Sequence, residues 1–237
     1  MHRTGCQSAK LQSDKVTLAG YQMMYGIYLM PLQQAAEPPR LLEIGLGCTM
    51  TYGPGRSARL WRKLLPDAQL WEADVDAPCV LAHQSRLRAQ GINVLRGDAG
   101  NASVVRSWVE QISGPLDAVI DDGSHRAADV LTAFATLWPA VRPGGLYFVE
   151  DIGAPAMGNI SRLLASWAQT KMRLSFAVDR EAVERESRLV PWLRMPDDAA
   201  FRMPDDVAFI NVFDNAAVIG KDLMEHRHVS TRRGSTC

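Results

Sequence analysis

An α/β fold built on a mostly parallel sheet follows from two patterns in the sequence. From Arg40 onward, short apolar runs alternate with stretches of helical spacing, the mark of successive βαβ units. Near the end, residues 207–213 and 216–220 are apolar runs separated by Asp214-Asn215, which predicts a terminal antiparallel hairpin. With 47% apolar and 22% charged residues over 237 positions, the composition is that of a soluble globular protein able to build a sizeable core.

The elements can be justified in order. Residues 16–36 carry no charge, but Gly20, Gln22, Gly26, Pro31, Gln33 and Gln34 interrupt the run. Leu18, Tyr21, Tyr25, Tyr28 and Leu29 recur at helical spacing, so an amphipathic helix docked on the domain is expected rather than a membrane span. It belongs to an N-terminal helical cap over residues 1–39. Candidate strands occupy residues 41–44, 69–73, 93–95, 118–120 and 146–149, each followed by polar or glycine residues. Ligands of open parallel sheets bind outside these carboxyl ends.

Between the first two strands, Ser57 is placed to cap a helix whose stripe is Leu60, Trp61, Leu64 and Leu65, with Pro66 ending it. A second helix begins after Ser124, with Val130, Leu131, Phe134 and Leu137 on one face. Pro139 and the Pro143-Gly144-Gly145 turn then stop it and launch the next strand. Residues 152–206 are less regular, with a helix near 159–170, and suit a lid or substrate-facing insertion within a domain spanning 40–225. A tandem duplication, 194–201 then 202–209, lengthens this insertion and adds little closure entropy. The tail, 226–237, is polar and basic and is expected to fray.

Charge and cysteine content narrow the function. Lys+Arg and Asp+Glu both number 26, so no summed field draws the chain onto phosphate backbones or anionic lipid. Neither nucleic acid nor a membrane is expected as a partner. Cys6, Cys48, Cys79 and Cys237 show no CxxC pairing and no secretory leader is legible, which predicts reduced thiols and a cytoplasmic protein.

The first strand breaks into Glu43-Ile44-Gly45-Leu46-Gly47, where glycine lets a ligand approach backbone N–H groups near a helix start. A dinucleotide fingerprint would need a third glycine at position 50, which is Met50. The second strand ends in Glu72-Ala73-Asp74, a carboxylate suited to two ribose hydroxyls, and the third in Gly97-Asp98-Ala99, suited to an adenine amino group. Asp at a strand end is commonly a turn residue. Three ordered strand-end signals are harder to explain that way.

The fourth strand runs into Asp121-Asp122-Gly123-Ser124-His125 and the fifth into Glu150-Asp151. Capping by Asp122 or Ser124 accounts for one carboxylate and leaves the rest. Converging carboxylates repel unless a cation offsets them, and the all-oxygen set Asp122, Glu150 and Asp151 favours a hard ion such as Mg²⁺ over Zn²⁺. His125, at the helix start beside a carboxylate, is placed to take a proton from a coordinated hydroxyl.

In order along the chain, Glu43-Ile-Gly45-Leu-Gly47, Asp74, Gly97-Asp98-Ala99 and the terminal hairpin resemble the class I S-adenosylmethionine-dependent methyltransferases over roughly residues 40–221. The resemblance implies a Rossmann-like, seven-stranded, mostly parallel sheet with a terminal antiparallel hairpin. It implies that Glu43 and the glycine loop (Gly45, Gly47) hold the methionine and sugar part, Asp74 the ribose and Asp98 the adenine. Tyr52, Ser57 and Asp121 complete the expected cofactor-binding set. Within the class, Asp122-Gly123-Ser124-His125, the run 142–151 and Ser57-Ala58-Arg59-Leu60-Trp61 most resemble the macrolide-sugar (mycinamicin and macrocin) O-methyltransferases, and much of this pattern is shared with cephalosporin hydroxylase-like proteins. Those relatives imply Asp122, Glu150 and Asp151 as Mg²⁺ ligands and His125 as base.

The expectation is a metal-dependent O-methyltransferase for natural product biosynthesis, acting on a hydroxyl of a sugar-bearing small molecule or vicinal diol. A homo-oligomer is left open. Alternatives are a metal-independent methyltransferase, disfavoured for nucleic-acid bases by the absence of an Asp/Asn-Pro-Pro-aromatic run after the fourth strand, and a catalytically idle cofactor-binding module.

Overall fold

The computed structural model describes residue 15 and residues 21–158, 160–176 and 202–223. Seven strands form one sheet in the order β3-β2-β1-β4-β5-β7-β6. They are β1 (Arg40–Ile44), β2 (Gln69–Asp74), β3 (Ile92–Arg96), β4 (Leu116–Asp121), β5 (Val141–Glu150), β6 (Val207–Val212) and β7 (Ala216–Lys221). The first five are parallel, while β7 pairs antiparallel with both β5 and β6. The predicted terminal hairpin is present, and its second strand inserts between β5 and its own partner.

Among the described residues six helices cover the sheet: α1 (Tyr21–Tyr28), α2 (Arg56–Leu64), α3 (Ala77–Ala89), α4 (Ala102–Ile112), α5 (Ala127–Leu137) and α6 (Ile160–Phe176). Strand side chains alternate between the faces. One face buries Leu41, Leu70, Ile120 and Phe148 against Tyr21, Tyr25, Trp61, Val80 and Leu87 from α1, α2 and α3. The opposite face buries Leu42, Val119, Tyr147 and Val149 against Trp108, Phe134 and Trp167 from α4, α5 and α6. The result is a three-layer α/β/α sandwich with continuous apolar strands, as expected where parallel strands are covered on both sides.

The uncharged N-terminal run forms α1, followed by a 3₁₀ turn over Met30–Gln34 that Pro31 helps to start. Tyr21, Met24, Tyr25 and Leu29 are buried, so this run packs on the domain, and no described helix is long and apolar enough to cross a membrane. Leu18 lies outside the described residues.

Two start signals differ from expectation. Helix α2 begins at Arg56, after a left-handed Gly55, which puts Ser57 inside the first turn rather than at the cap. Helix α5 begins at Ala127. Ser124 instead donates its hydroxyl to Asp129 at 2.8 Å and accepts from the Arg126 N–H, closing a turn ahead of the helix. Helices α3 and α4 add to the elements expected from the sequence. Each carries a clear side-chain cap, Asp76 accepting from the Cys79 N–H and Asn101 from the N–H groups of Ser103 and Val104. In α3 only Val80 and Leu87 are buried, too thin an apolar stripe to register by periodicity.

The expected reduced state of Cys48 and Cys79 is corrected: they form a disulfide. Thirty-one positions separate them in sequence, and only the βαβ crossover brings the glycine loop against the first turn of α3. Spacing rules built on local motifs cannot detect such a pair. Of the duplicated segment, 194–201 lies outside the described residues. The second copy leads into β6, where Asp206 accepts from the Trp138 indole at 2.7 Å and pairs with Lys221 at 3.2 Å. The tail, 226–237, also lies outside the described residues.

Candidate active site

The strand order reverses between β1 and β4, and the crevice opens there, outside the carboxyl ends of the strands. It is a cavity of about 600 Å³, within the range of small-molecule sites. One end is lined by Gly45, Gly47, Tyr52, Ser57, Asp74 and Asp98, the other by Asp122, His125 and Asp151.

Gly45 is fixed by two constraints. Its φ is +109°, and a Cβ there would lie 2.1 Å from the Asp122 carbonyl oxygen, so β1 and β4 can approach this closely only at glycine. The Asp122 N–H donates to the Ile44 carbonyl at 3.0 Å, continuing the strand pairing into the loops. At the end of β2, Asp74 accepts from the Cys48 N–H at 3.4 Å and the Asp76 N–H at 2.9 Å. The disulfide ties the same loop to α3. Asp98 accepts from the Gly100 N–H at 2.8 Å, and Arg56 lies over the Tyr52 ring at 5.0 Å.

Two of the expected cofactor residues do not line the cavity. Glu43 points into the α1–α2 face, fully buried, and accepts from the Trp61 indole at 2.9 Å. Asp121 points to the opposite face and accepts from the Tyr147 hydroxyl at 2.9 Å, with burial pushing its carboxyl up to about 6.

At the reaction end, Asp122, His125 and Asp151 each offer a donor atom, and these atoms lie within 4.8 Å of one another. His125 Nε2 is 3.5 Å from Asp151 Oδ2 and 3.9 Å from Asp122 Oδ1. Both His125 and Asp151 adopt left-handed backbone, with φ of 50° and 53°. Such conformations cost free energy in non-glycine residues and recur at functional sites. Two carboxylate oxygens, gathered around one space and partly open to the cavity, suit a hard divalent cation, with the His125 imidazole at its edge.

Glu150 is placed differently. It is 2% exposed, faces the α1–α2 side, and accepts from Lys15 Nζ with both oxygens at 2.7 Å and from the Tyr25 hydroxyl. Lys15 also donates to Asp122 Oδ2 at 3.0 Å and lies 3.3 Å from Glu43. Burial alone would lower its pKa, but Asp122, Glu150 and Glu43 together hold it well above the ordinary lysine value. Burial pushes the Glu150 carboxyl up strongly and Glu72, beside Glu43 on the next strand, likewise. Sequence reasoning missed Lys15, Tyr21 and Tyr25 as site residues. The only signal for Tyr21 and Tyr25 was their place in an uncharged N-terminal run, which reads as packing, and Lys15 lies just ahead of that run.

Residues 43–152 match a protein family described as a methyltransferase domain. The fold matches the MycE methyltransferase from the mycinamycin biosynthetic pathway, solved in complex with Mg and SAH, with a TM-score of 0.69 at 24% identity, over 93% of this chain and 53% of that one.

The chain carries the class I methyltransferase fold.

Sequence relatives of the chain include the 8-demethyl-8-alpha-L-rhamnosyl tetracenomycin-C 2'-O-methyltransferase of Streptomyces olivaceus, 35% identical over 141 residues, 59% of this chain and 35% of that protein. Another is the mycinamicin VI 2''-O-methyltransferase of Micromonospora griseorubida, 41% identical over 115 residues, 48% of this chain and 27% of that protein. The matched stretch therefore spans about a third of the length of these relatives. In sequence the chain resembles sugar O-methyltransferases.

Proposed function

We propose that the protein is an S-adenosylmethionine-dependent O-methyltransferase that methylates a hydroxyl of a sugar-bearing small molecule, assisted by a divalent cation such as Mg²⁺. The observation that carries this reading is the single cavity at the strand-order switch, with Gly45, Asp74 and Asp98 at one end and Asp122, His125 and Asp151 at the other. The relatives whose names specify a sugar position support the acceptor class. MycE, solved with Mg and SAH, supports the cofactor and the metal.

In this reading the domain expected over residues 40–225 is the catalytic one and residues 21–39 cap it, while residues 177–201 of the expected substrate-facing insertion, 152–206, lie outside the described residues. The Gly45–Gly47 loop takes the methionine part of the cofactor, Asp74 the ribose and Asp98 the adenine, with Tyr52 and Ser57 along the same wall. Glu43 and Asp121 support that loop and β4 from behind. Asp122 and Asp151 hold the cation, with Glu150 next to them in the same acidic group. The cation supplies a lowered hydroxyl pKa and an anchor for neighbouring acceptor oxygens. His125 takes the hydroxyl proton on Nε2 while the oxygen bonds to the methyl carbon and the carbon–sulfur bond breaks. Because the sulfonium leaves as a neutral thioether, no acid is needed.

The test is incubation with S-adenosylmethionine carrying a labelled methyl group and a panel of rhamnosylated and aminosugar-bearing aglycones, read by mass spectrometry. A labelled product whose methyl maps to a sugar oxygen is expected. Label on an aglycone nitrogen or carbon, or no transfer to any glycoside, contradicts the reading.

A further inference from the structure

The two carboxylates that face His125 share a property. Each has one oxygen held from behind by the N-terminal segment and the other turned to the cavity side. Asp122 Oδ2 accepts from Lys15 at 3.0 Å, while Oδ1 is its atom near His125. Asp151 Oδ1 accepts from the Tyr21 hydroxyl at 2.9 Å and from Asn215 Nδ2 at 2.7 Å, while Oδ2 is its atom near His125. The Asp151 N–H also donates to the Tyr21 hydroxyl, at 3.0 Å, which helps hold this residue in its left-handed conformation.

Lys15 is itself anchored. Its ammonium is 2% exposed and bridges Glu150, Asp122 and Glu43, which come from three adjacent strands, and Tyr25 completes the grip on Glu150. An ammonium has three donors, and here they converge on carboxylates that would otherwise be left buried without a counter-charge. Groups that hold a metal-binding carboxylate from behind fix its orientation, and removing one costs about 10–100-fold in metal affinity.

We propose that Lys15 is the positioning residue of the reaction site: anchored on Glu150, it fixes Asp122 so that one carboxylate oxygen faces Asp151 and His125 to receive the cation. Glu150 then serves as the seat of Lys15. The inference rests on the proposed metal-assisted reading of the same site.

Titration with Mn²⁺, followed by electron paramagnetic resonance, is compared with binding of S-adenosylhomocysteine by calorimetry in the full chain. Lys15→Met is expected to weaken Mn²⁺ binding by about 10–100-fold. S-adenosylhomocysteine affinity should stay within about twofold, because none of the carboxylates that Lys15 pairs with, Asp122, Glu150 and Glu43, lines the cofactor end of the cavity. Lys15→Arg, which keeps the charge, should recover part of the Mn²⁺ affinity. If Lys15→Met fails to fold, the double variant Lys15→Met/Glu150→Gln, which removes the buried charge with its partner, is expected to fold and still to bind Mn²⁺ weakly. Unchanged or tighter Mn²⁺ binding in either variant overturns the inference, since Lys15 would then be a competitor of the cation. No Mn²⁺ binding by the parent, with cofactor binding intact, overturns the metal-assisted reading itself and the inference with it.

Discussion

At the cofactor end of the cavity the holding groups lie within 31 positions of what they hold: Asp74 is held by the N–H of Asp76 and of Cys48, Asp98 by that of Gly100, and the glycine loop by its own left-handed turns and the disulfide. At the reaction end the holding groups come from far along the chain. Lys15 reaches Asp122 across 107 positions and Glu150 across 135, and Tyr21 reaches Asp151 across 130. The first end binds through backbone shape, which local sequence encodes. The second depends on a charge arrangement that exists only when the N-terminal segment is docked. Damage to the N-terminal segment should therefore abolish the reaction while sparing cofactor binding, whereas damage to the glycine loop should weaken cofactor binding while sparing cation binding.

The largest effect that would break this comparison is at His125. His125→Ala is expected to lower kcat by about 10²–10⁴-fold, the range for loss of a general base, with little change in cofactor affinity. Steady-state kinetics beside calorimetry checks it, and a matching fall in cofactor binding would show the two ends to be coupled. Next in size is the disulfide. Cys48→Ser/Cys79→Ser removes a link closing a loop of about 30 residues and should cost up to about 3–4 kcal/mol, seen as a lower unfolding midpoint in urea. The parent treated with reductant should shift in the same direction. An unchanged midpoint would mean that the loop and α3 are held without it.

Asp74→Asn comes third. It replaces a charge-assisted acceptor by a neutral one and should weaken S-adenosylhomocysteine binding by about 10–100-fold, from about 1.5–3 kcal/mol per charged hydrogen bond, while Mn²⁺ binding is unaffected. Calorimetry with each ligand separates these. Smallest is Tyr21→Phe, which removes one hydroxyl from Asp151 and leaves Asn215 in place. About 0.5–1.5 kcal/mol, read as a few-fold loss of Mn²⁺ affinity, is expected.

The same contrast explains what could be read from the sequence. Strand alternation, the glycine break at Gly45–Gly47 and the hairpin split at Asp214-Asn215 are local patterns, and each corresponds to an element of the structure. The convergence of Asp122 and Asp151 was legible because parallel strands deliver their carboxyl ends to one edge. What could not be read is long-range. Cys48 and Cys79 meet only through the crossover, and Lys15 is one basic residue among the many of the sequence, with no motif to single it out. Glu150 shows the limit most clearly: it is the last residue of β5 and pairs with Lys15, while Asp151 turns through a left-handed backbone conformation to face His125, and nothing in the sequence separates the two. Helix α3 lacks the wide apolar stripe that periodicity detects, whereas α4 carries one at Val105, Trp108 and Ile112, and both have their caps in plain view at Asp76 and Asn101.

The central claim, that one cavity joins a methyl donor to a cation-held hydroxyl, is tested most directly by methyl transfer to a sugar-bearing acceptor before chelation, in excess chelator, and after Mg²⁺ is returned. The account predicts that transfer stops on chelation and resumes with Mg²⁺, while S-adenosylhomocysteine binding stays constant throughout. Undiminished transfer in excess chelator would contradict it.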